Sequence, residues 1–173
     1  MQSSLTTERL LIEPLSLNES DFIFELLNTE GWIKFIGQRN INSAADATAY
    51  IQKIVDNPNT TYWSVKLKDA QTTIGLVTLI KRDYLEHHDI GFAFLPQFAN
   101  KGYAYEAANA VLNHVMSAYH LSIILATTVP ENGSSIKLLK KLRLEFDREI
   151  EEHSEVLWVY SNSTSKSTGV GND

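Results

Sequence analysis

Apolar residues recur at two spacings along this chain, and each change of spacing predicts an element. Leu10-Leu-Ile-Glu-Pro-Leu15 predicts a first strand, closed by Pro14. Asn18, followed by Glu19-Ser20-Asp21, predicts an N-cap with acids in the first helical turn. Phe22, Ile23, Leu26 and Leu27 then share one helical face through Asn28. Trp32-Ile-Lys-Phe-Ile-Gly-Gln-Arg39 has no clear period and reads as a loop or a short turn of helix. Ser43 with Asp46 predicts a second helix, apolar at Tyr50, Ile51, Ile54 and Val55, ending by Asn57-Pro58.

From Thr61 the period changes to two. Tyr62–Leu67 and Thr73–Ile80 predict strands joined by the turn Lys68-Asp-Ala-Gln-Thr72. A polar connection, Lys81 to His88, precedes the apolar strand Ile90–Leu95. Tyr103–Tyr119 predicts a long helix with Ala104, Ala108, Val111, Val115 and Ala118 in one stripe. Ile123–Val129 predicts a strand, and Pro130-Glu-Asn-Gly133 a turn. Ser134 and Ser135 open a short helix with Ile136, Leu139 and Leu142 inward. Glu145–Ile150 and Glu155–Tyr160 form a hairpin through Glu151-Glu-His-Ser154. The expected organisation is one domain over 1–160 and a flexible low-complexity tail over 161–173. The order β, α, α, β, β, β, α, β, α, β, β implies an α+β fold with antiparallel hairpins and at least one crossover helix.

Composition narrows the class. The chain has 173 residues, 43% hydrophobic and 21% charged, which suits a core-forming globular domain. It contains no cysteine, which removes disulfides, zinc–thiolate sites and a cysteine nucleophile. We expect no metal site, no membrane span and no signal peptide, and hence a cytoplasmic protein. The net charge of −6 argues against a broad nucleic-acid surface.

One stretch carries candidate chemistry. Leu95-Pro-Gln-Phe-Ala-Asn-Lys-Gly-Tyr-Ala-Tyr-Glu-Ala107 runs from a buried strand through a loop into a helix start. Free N–H groups converge at such a junction and suit an anion such as a pyrophosphate.

The order of elements and four motifs resemble the GNAT superfamily of acetyl-CoA-dependent N-acetyltransferases, on the branch containing the ribosomal-protein N-acetyltransferases. The motifs are Thr7-Glu-Arg-Leu10, Asp89-Ile-Gly-Phe-Ala-Phe-Leu-Pro96, Lys101-Gly-Tyr-Ala-Tyr-Glu-Ala107, and Asn132-Gly-Ser-Ser135 with Leu138-Leu-Lys-Lys-Leu142. The resemblance implies a single-domain acyl-CoA N-acyltransferase fold. Its sheet is mixed, mostly antiparallel, with about seven strands and about four flanking helices. It implies acetyl-CoA as acetyl donor and a primary amine as acceptor, either a protein N-terminus or a small molecule. A monomer and a homodimer are both compatible with it. A non-catalytic acyl-CoA-binding or protein-interaction module on the same fold is the alternative.

By that resemblance, the backbone of Asn100, Lys101, Gly102, Tyr103 and Ala104 cradles the pyrophosphate. Asn100, where the family favours glycine, is expected to take a left-handed conformation. Phe92, Ala93, Phe94 and Leu95 would pair with the pantetheine arm through backbone groups, and Asn132 would hold it. Ser135 would lie near the sulfur as proton donor, with helix capping as its other reading. Trp32, Phe35, Gln38 and Arg39 would border the acceptor.

The acceptor must attack as a neutral amine. A lysine-type amine costs about 4–5 kcal/mol to deprotonate at pH 7, an α-amine only about 1. Candidate bases cluster at Glu86-His87-His88-Asp89, with Asp89 and His88 foremost; the first three also read as a hydrated loop. Strand alternation puts Asp89, Gly91 and Ala93 on one face and His88, Ile90 and Phe92 on the other.

Overall fold

The computed structural model describes residues 3–163, and the predicted tail from 164 on lies outside them. Its centre is one mixed sheet. The eight strands are β1 (Leu5–Thr6), β2 (Leu10–Pro14), β3 (Thr60–Leu67), β4 (Thr73–Ile80), β5 (Asp89–Phe94), β6 (Leu125–Thr128), β7 (Glu145–Glu152) and β8 (Glu155–Ser161), in the order β1-β2-β3-β4-β5-β6-β8-β7. Every pairing is antiparallel except β5 with β6. The five helices are α1 (Ser20–Leu27), α2 (Glu30–Phe35), α3 (Ala44–Asp56), α4 (Tyr103–Ala118) and α5 (Gly133–Lys141).

Alternation along the strands makes two cores. Leu10, Ile12, Trp63, Val65, Val77, Leu79 and Ile90 face α4 and α5, whose Ala108, Val111, Val115 and Leu139 close that side. Leu76 and Ala93 face the opposite side, against Phe22, Ile23, Leu26, Trp32, Ala47 and Ile51 of α1 to α3. Removing this much apolar surface from water at about 25 cal/mol per Å² is what holds both layers on the sheet.

Several boundaries differ from expectation. Asn18 is not the first cap. Ser16 and Glu19 form a capping box around a 3-10 turn, Leu17–Glu19, and α1 starts after it. Of the two readings of Trp32–Arg39, the short helix holds for Trp32–Phe35, part of α2, with Thr29 Oγ1 accepting from the Trp32 N–H. Ser43 caps α3 as expected, accepting from the Asp46 N–H at 3.1 Å. The sheet gains the two-residue β1, too short to show a period. The strand predicted over Ile123–Val129 shortens to β6. Ser161, expected in the tail, is buried in β8 and pairs with Leu125 and Glu145.

Candidate active site

β5 leads into a 3-10 turn, Pro96–Phe98, then into a loop that ends where α4 begins. Asn100 has φ 60°, left-handed as expected, and Gly102 has φ 81°. Two left-handed residues this close turn the chain back sharply into the helix. Gly102 is required by that φ. A Cβ there would also stand 3.2 Å from Arg9 Nη2, so the space beside Gly102 is filled by an arginine. The N–H groups of Asn100 to Tyr105 have no hydrogen-bond acceptor among the described residues. They lie at the positive end of a helix of 16 residues.

Beside this loop the sheet comes apart. β4 and β5 stay paired from Gly75↔Phe94 to Ile80↔Asp89, whereas β5 and β6 meet only at Asp89↔Leu125. The Leu95 N–H donates to Ile74 O on β4, and the Leu125 N–H donates to His88 O. The backbone groups of even-numbered residues therefore point toward β6, and those of odd-numbered residues toward β4. Phe92 and Phe94 thus present unpaired backbone groups to the gap. Ala93 and Leu95, expected to do the same, turn theirs to β4.

Asp89 stands where the strands part. It accepts from the Thr127 backbone N–H at 3.2 Å and the Thr127 hydroxyl at 3.3 Å, and it pairs with the Arg82 guanidinium. A continuous parallel ladder would pair the Thr127 N–H with β5 backbone; here the carboxylate takes it instead. Gly91, next on the same face, has no room for a side chain, since a Cβ would meet Thr78 Oγ1 at 2.7 Å.

Burial raises the Asp89 carboxyl above its ordinary range, against the opposing pull of Arg82 and Thr127. Burial lowers His88, helped by the positive charges of Lys81 and His87, so its neutral form is favoured. On the α1–α3 face, Tyr62 is raised by burial and by its neighbour Tyr50, with Arg82 and Arg39 pulling the other way. Tyr50 is raised by burial against Arg39 and Tyr62. These phenols and arginines form a polar cluster on the face shared by Thr78, Gly91 and Asp89. The sequence disclosed only the helical and strand periods of the two tyrosines.

α5 follows β6 and packs against α4 and β6. Asn132 Oδ1 caps it, accepting from the Ser135 N–H at 3.2 Å. The cap is therefore the asparagine. The half-buried Ser135 keeps a hydroxyl with no partner among the described residues. Of the expected acceptor residues, Trp32 is buried, with its Nε1 unpaired among the described residues, and Phe35 is half-buried. Gln38 and Arg39 are exposed beyond α2, and Lys101 is exposed in the loop with its Nζ 5.9 Å from the Phe98 ring centroid.

A group of residues around the loop was not foreseen. Glu106, in the first turn of α4, accepts from the Thr7 hydroxyl at 2.6 Å, the Arg9 N–H at 2.9 Å and Arg9 Nε at 2.7 Å. Burial alone would raise its carboxyl; the Thr7 hydroxyl and the Arg9 N–H and guanidinium outweigh it and hold Glu106 below the ordinary carboxylate range. The motif Thr7-Glu-Arg-Leu10 was the available signal, taken only as part of the family resemblance.

A family model described as "Acetyltransferase (GNAT) domain" matches residues 9–145, and the chain belongs to that family. The chain is similar to the uncharacterized N-acetyltransferase YnaD of Bacillus subtilis (strain 168), 32% identical over 138 residues, which is 80% of each chain. Its fold is shared with a ribosomal-protein-S5-alanine acetyltransferase from Vibrio fischeri, at a TM-score of 0.79 and 18% identity over 95% of this chain and 98% of that one. It is shared too with a spermidine N-acetyltransferase from Vibrio cholerae in complex with CoA and spermine. That match has a TM-score of 0.76 and 17% identity, over 90% of this chain and 95% of that one. The protein is an acetyltransferase, and the donor of this family is acetyl-CoA. The loop's unpaired N–H groups suit its diphosphate, and the unpaired edge of β5 suits its amide-bearing arm.

Proposed function

We propose that the chain transfers an acetyl group from acetyl-CoA to a primary amine by direct attack, with both substrates held at once. The observation that carries this reading is the parting of β5 from β6 at Asp89, beside a loop whose N–H groups are unpaired. Acetyl-CoA supplies an acetyl thioester. The backbone of Asn100, Lys101, Gly102, Tyr103 and Ala104 holds the diphosphate, and the backbone of Phe92 and Phe94 holds the arm. The Asn132 amide nitrogen, left over from capping, is a further donor to it.

Direct attack is the simpler mechanism, because the chain has no cysteine to carry the acetyl group. The proton of the amine leaves to water on the α1–α3 face, because strand alternation turns His88 to the opposite face of β5. Asp89 is not the base in this reading, because its oxygens already serve Arg82 and Thr127. Ser135 Oγ delivers a proton on the leaving-group side of the gap. Trp32, Phe35, Gln38 and Arg39, with Tyr50 and Tyr62, border the amine on the α1–α3 face. The two structural neighbours are named for an alanine of ribosomal protein S5 and for spermidine, so peptides and polyamines both belong in the first test.

That test incubates the protein with acetyl-CoA and a panel of free-amine peptides, polyamines and small amines, with mass-spectrometric detection. The reading predicts an acetamide product matched one-for-one by free CoA. Binding of CoA without any acetylated product, across that panel and a cell extract, would overturn it in favour of a non-catalytic module.

A further inference from the structure

A carboxylate in the first turn of α4 is misplaced for an anion-binding helix start. Glu106 lies one turn from the N–H groups that the proposed reading gives to a diphosphate, and like charges at that range repel. Its surroundings resolve the conflict.

We propose that Arg9 is the positioning residue of this loop, and that it acts by taking up Glu106 and by fixing the Lys101–Gly102 peptide. The inference rests on the cofactor reading given above. One guanidinium reaches both Glu106 and Lys101 O. Arg9 Nε binds Glu106 Oε2 at 2.7 Å, and Nη1 donates to Lys101 O at 2.9 Å. Nη2 stands beside Gly102, and the group lies 4.4 Å from the Tyr103 ring centroid. The Arg9 backbone N–H and the Thr7 hydroxyl occupy the other oxygen of Glu106.

Two consequences follow. With three donors on it, the Glu106 carboxylate is paired with the Arg9 guanidinium and turned toward the β1–β2 turn, so its charge is balanced beside an anion at the helix start. A trans peptide is planar, with its C=O and N–H pointing in opposite directions. Holding Lys101 O toward Arg9 therefore points the Gly102 N–H away from Arg9, into the open side of the loop. Lysine cannot reproduce this, since a point charge lacks the fork that reaches Glu106 and Lys101 O together. The side chain of Arg9 is 42% exposed, so it is not a core prop whose loss unfolds the chain.

The test is a double-mutant cycle on the full chain, with CoA affinity read by calorimetry and kcat and KM read separately. Arg9→Ala should weaken CoA binding and raise the KM for acetyl-CoA tenfold or more. Saturated kcat and the acceptor KM should change less than twofold. Arg9→Lys should recover little. Glu106→Gln placed in the Arg9→Ala background should recover part of the lost affinity, because the uncompensated carboxylate is gone. A merely structural role predicts the reverse, a further loss. Unchanged CoA affinity in Arg9→Ala, or a double variant weaker than Arg9→Ala, overturns the inference. Equal unfolding midpoints of wild type and variants show that the effect is local. The affinity readout needs no turnover, so a wild type that binds CoA without transferring acetyl would sink the catalytic reading and still decide this one.

Discussion

The Asp89 carboxylate accepts the Thr127 backbone N–H at 3.2 Å, across two strands that have separated. A side chain thus closes the ladder that backbone would otherwise continue, and the gap begins there. Asp89 is fully buried and its partner Arg82 is half-buried. Asp89→Ala leaves an uncompensated guanidinium and a free Thr127 N–H, and should cost about 3 kcal/mol in urea unfolding. In Asp89→Asn the acidic limb of the pH–rate profile should survive, with the KM for acetyl-CoA raised. Loss of that limb would make Asp89 the base after all.

His88 sets the second prediction. Burial, Lys81 and His87 place its folded pKa below the ordinary histidine value of about 6.5. A depressed pKa favours the neutral form on folding. Its stabilising effect is full above the unfolded value and is lost as pH falls through the folded one. kcat/KM should not follow this group, since His88 lies on the face of β5 away from the acceptor. His88→Gln should flatten part of the acid-side stability curve, as followed by thermal unfolding from pH 7 downward, and leave the pH dependence of kcat/KM unchanged.

Ser135 has a hydroxyl to give because Asn132 does the capping. Ser135→Ala should lower kcat about 100-fold with little change in CoA affinity, the signature of a lost proton donor. Asn132→Ala should destabilise the protein by about 1 kcal/mol through the lost cap. Equal kcat for Ser135→Ala and wild type would leave that serine without a chemical role.

Arg143 ends α5 with φ 66°. The Leu144 N–H donates to Leu139 O and the Arg143 N–H to Lys140 O, the paired bonds of a Schellman ending. An arginine pays for this left-handed position where glycine would not. Arg143→Gly should raise stability by about 1 kcal/mol without altering turnover, as measured by denaturant unfolding beside steady-state rates.

What was legible in the sequence was local. The apolar run of β5, the stripe of α4 and the glycine between them specify a strand, a loop and a helix start within about fifteen residues, and short-range physics sufficed. The left-handed turn at Asn100 was expected from the resemblance, which favours glycine there. The two relationships that organise the site were not legible. Asp89 meets Thr127 across 38 residues, and Arg9 meets Glu106 across 97. No period or spacing reports such contacts; only the sheet order brings them together. Arg9 stood only inside the motif Thr7-Glu-Arg-Leu10, and Asp89 counted as a candidate base within Glu86-His87-His88-Asp89. Likewise Tyr50 and Tyr62 each satisfied a local apolar pattern, which hid their meeting beside Arg39.

Amide hydrogen exchange with and without saturating CoA tests most directly whether the loop and the strand gap hold the donor. The geometry predicts slowed exchange at Gly102, Tyr103 and Ala104 and at the unpaired amides of Phe92 and Phe94. Ala93 and Leu95, already paired to β4, should not respond. Binding of CoA that protects other elements and leaves these amides unchanged would contradict it.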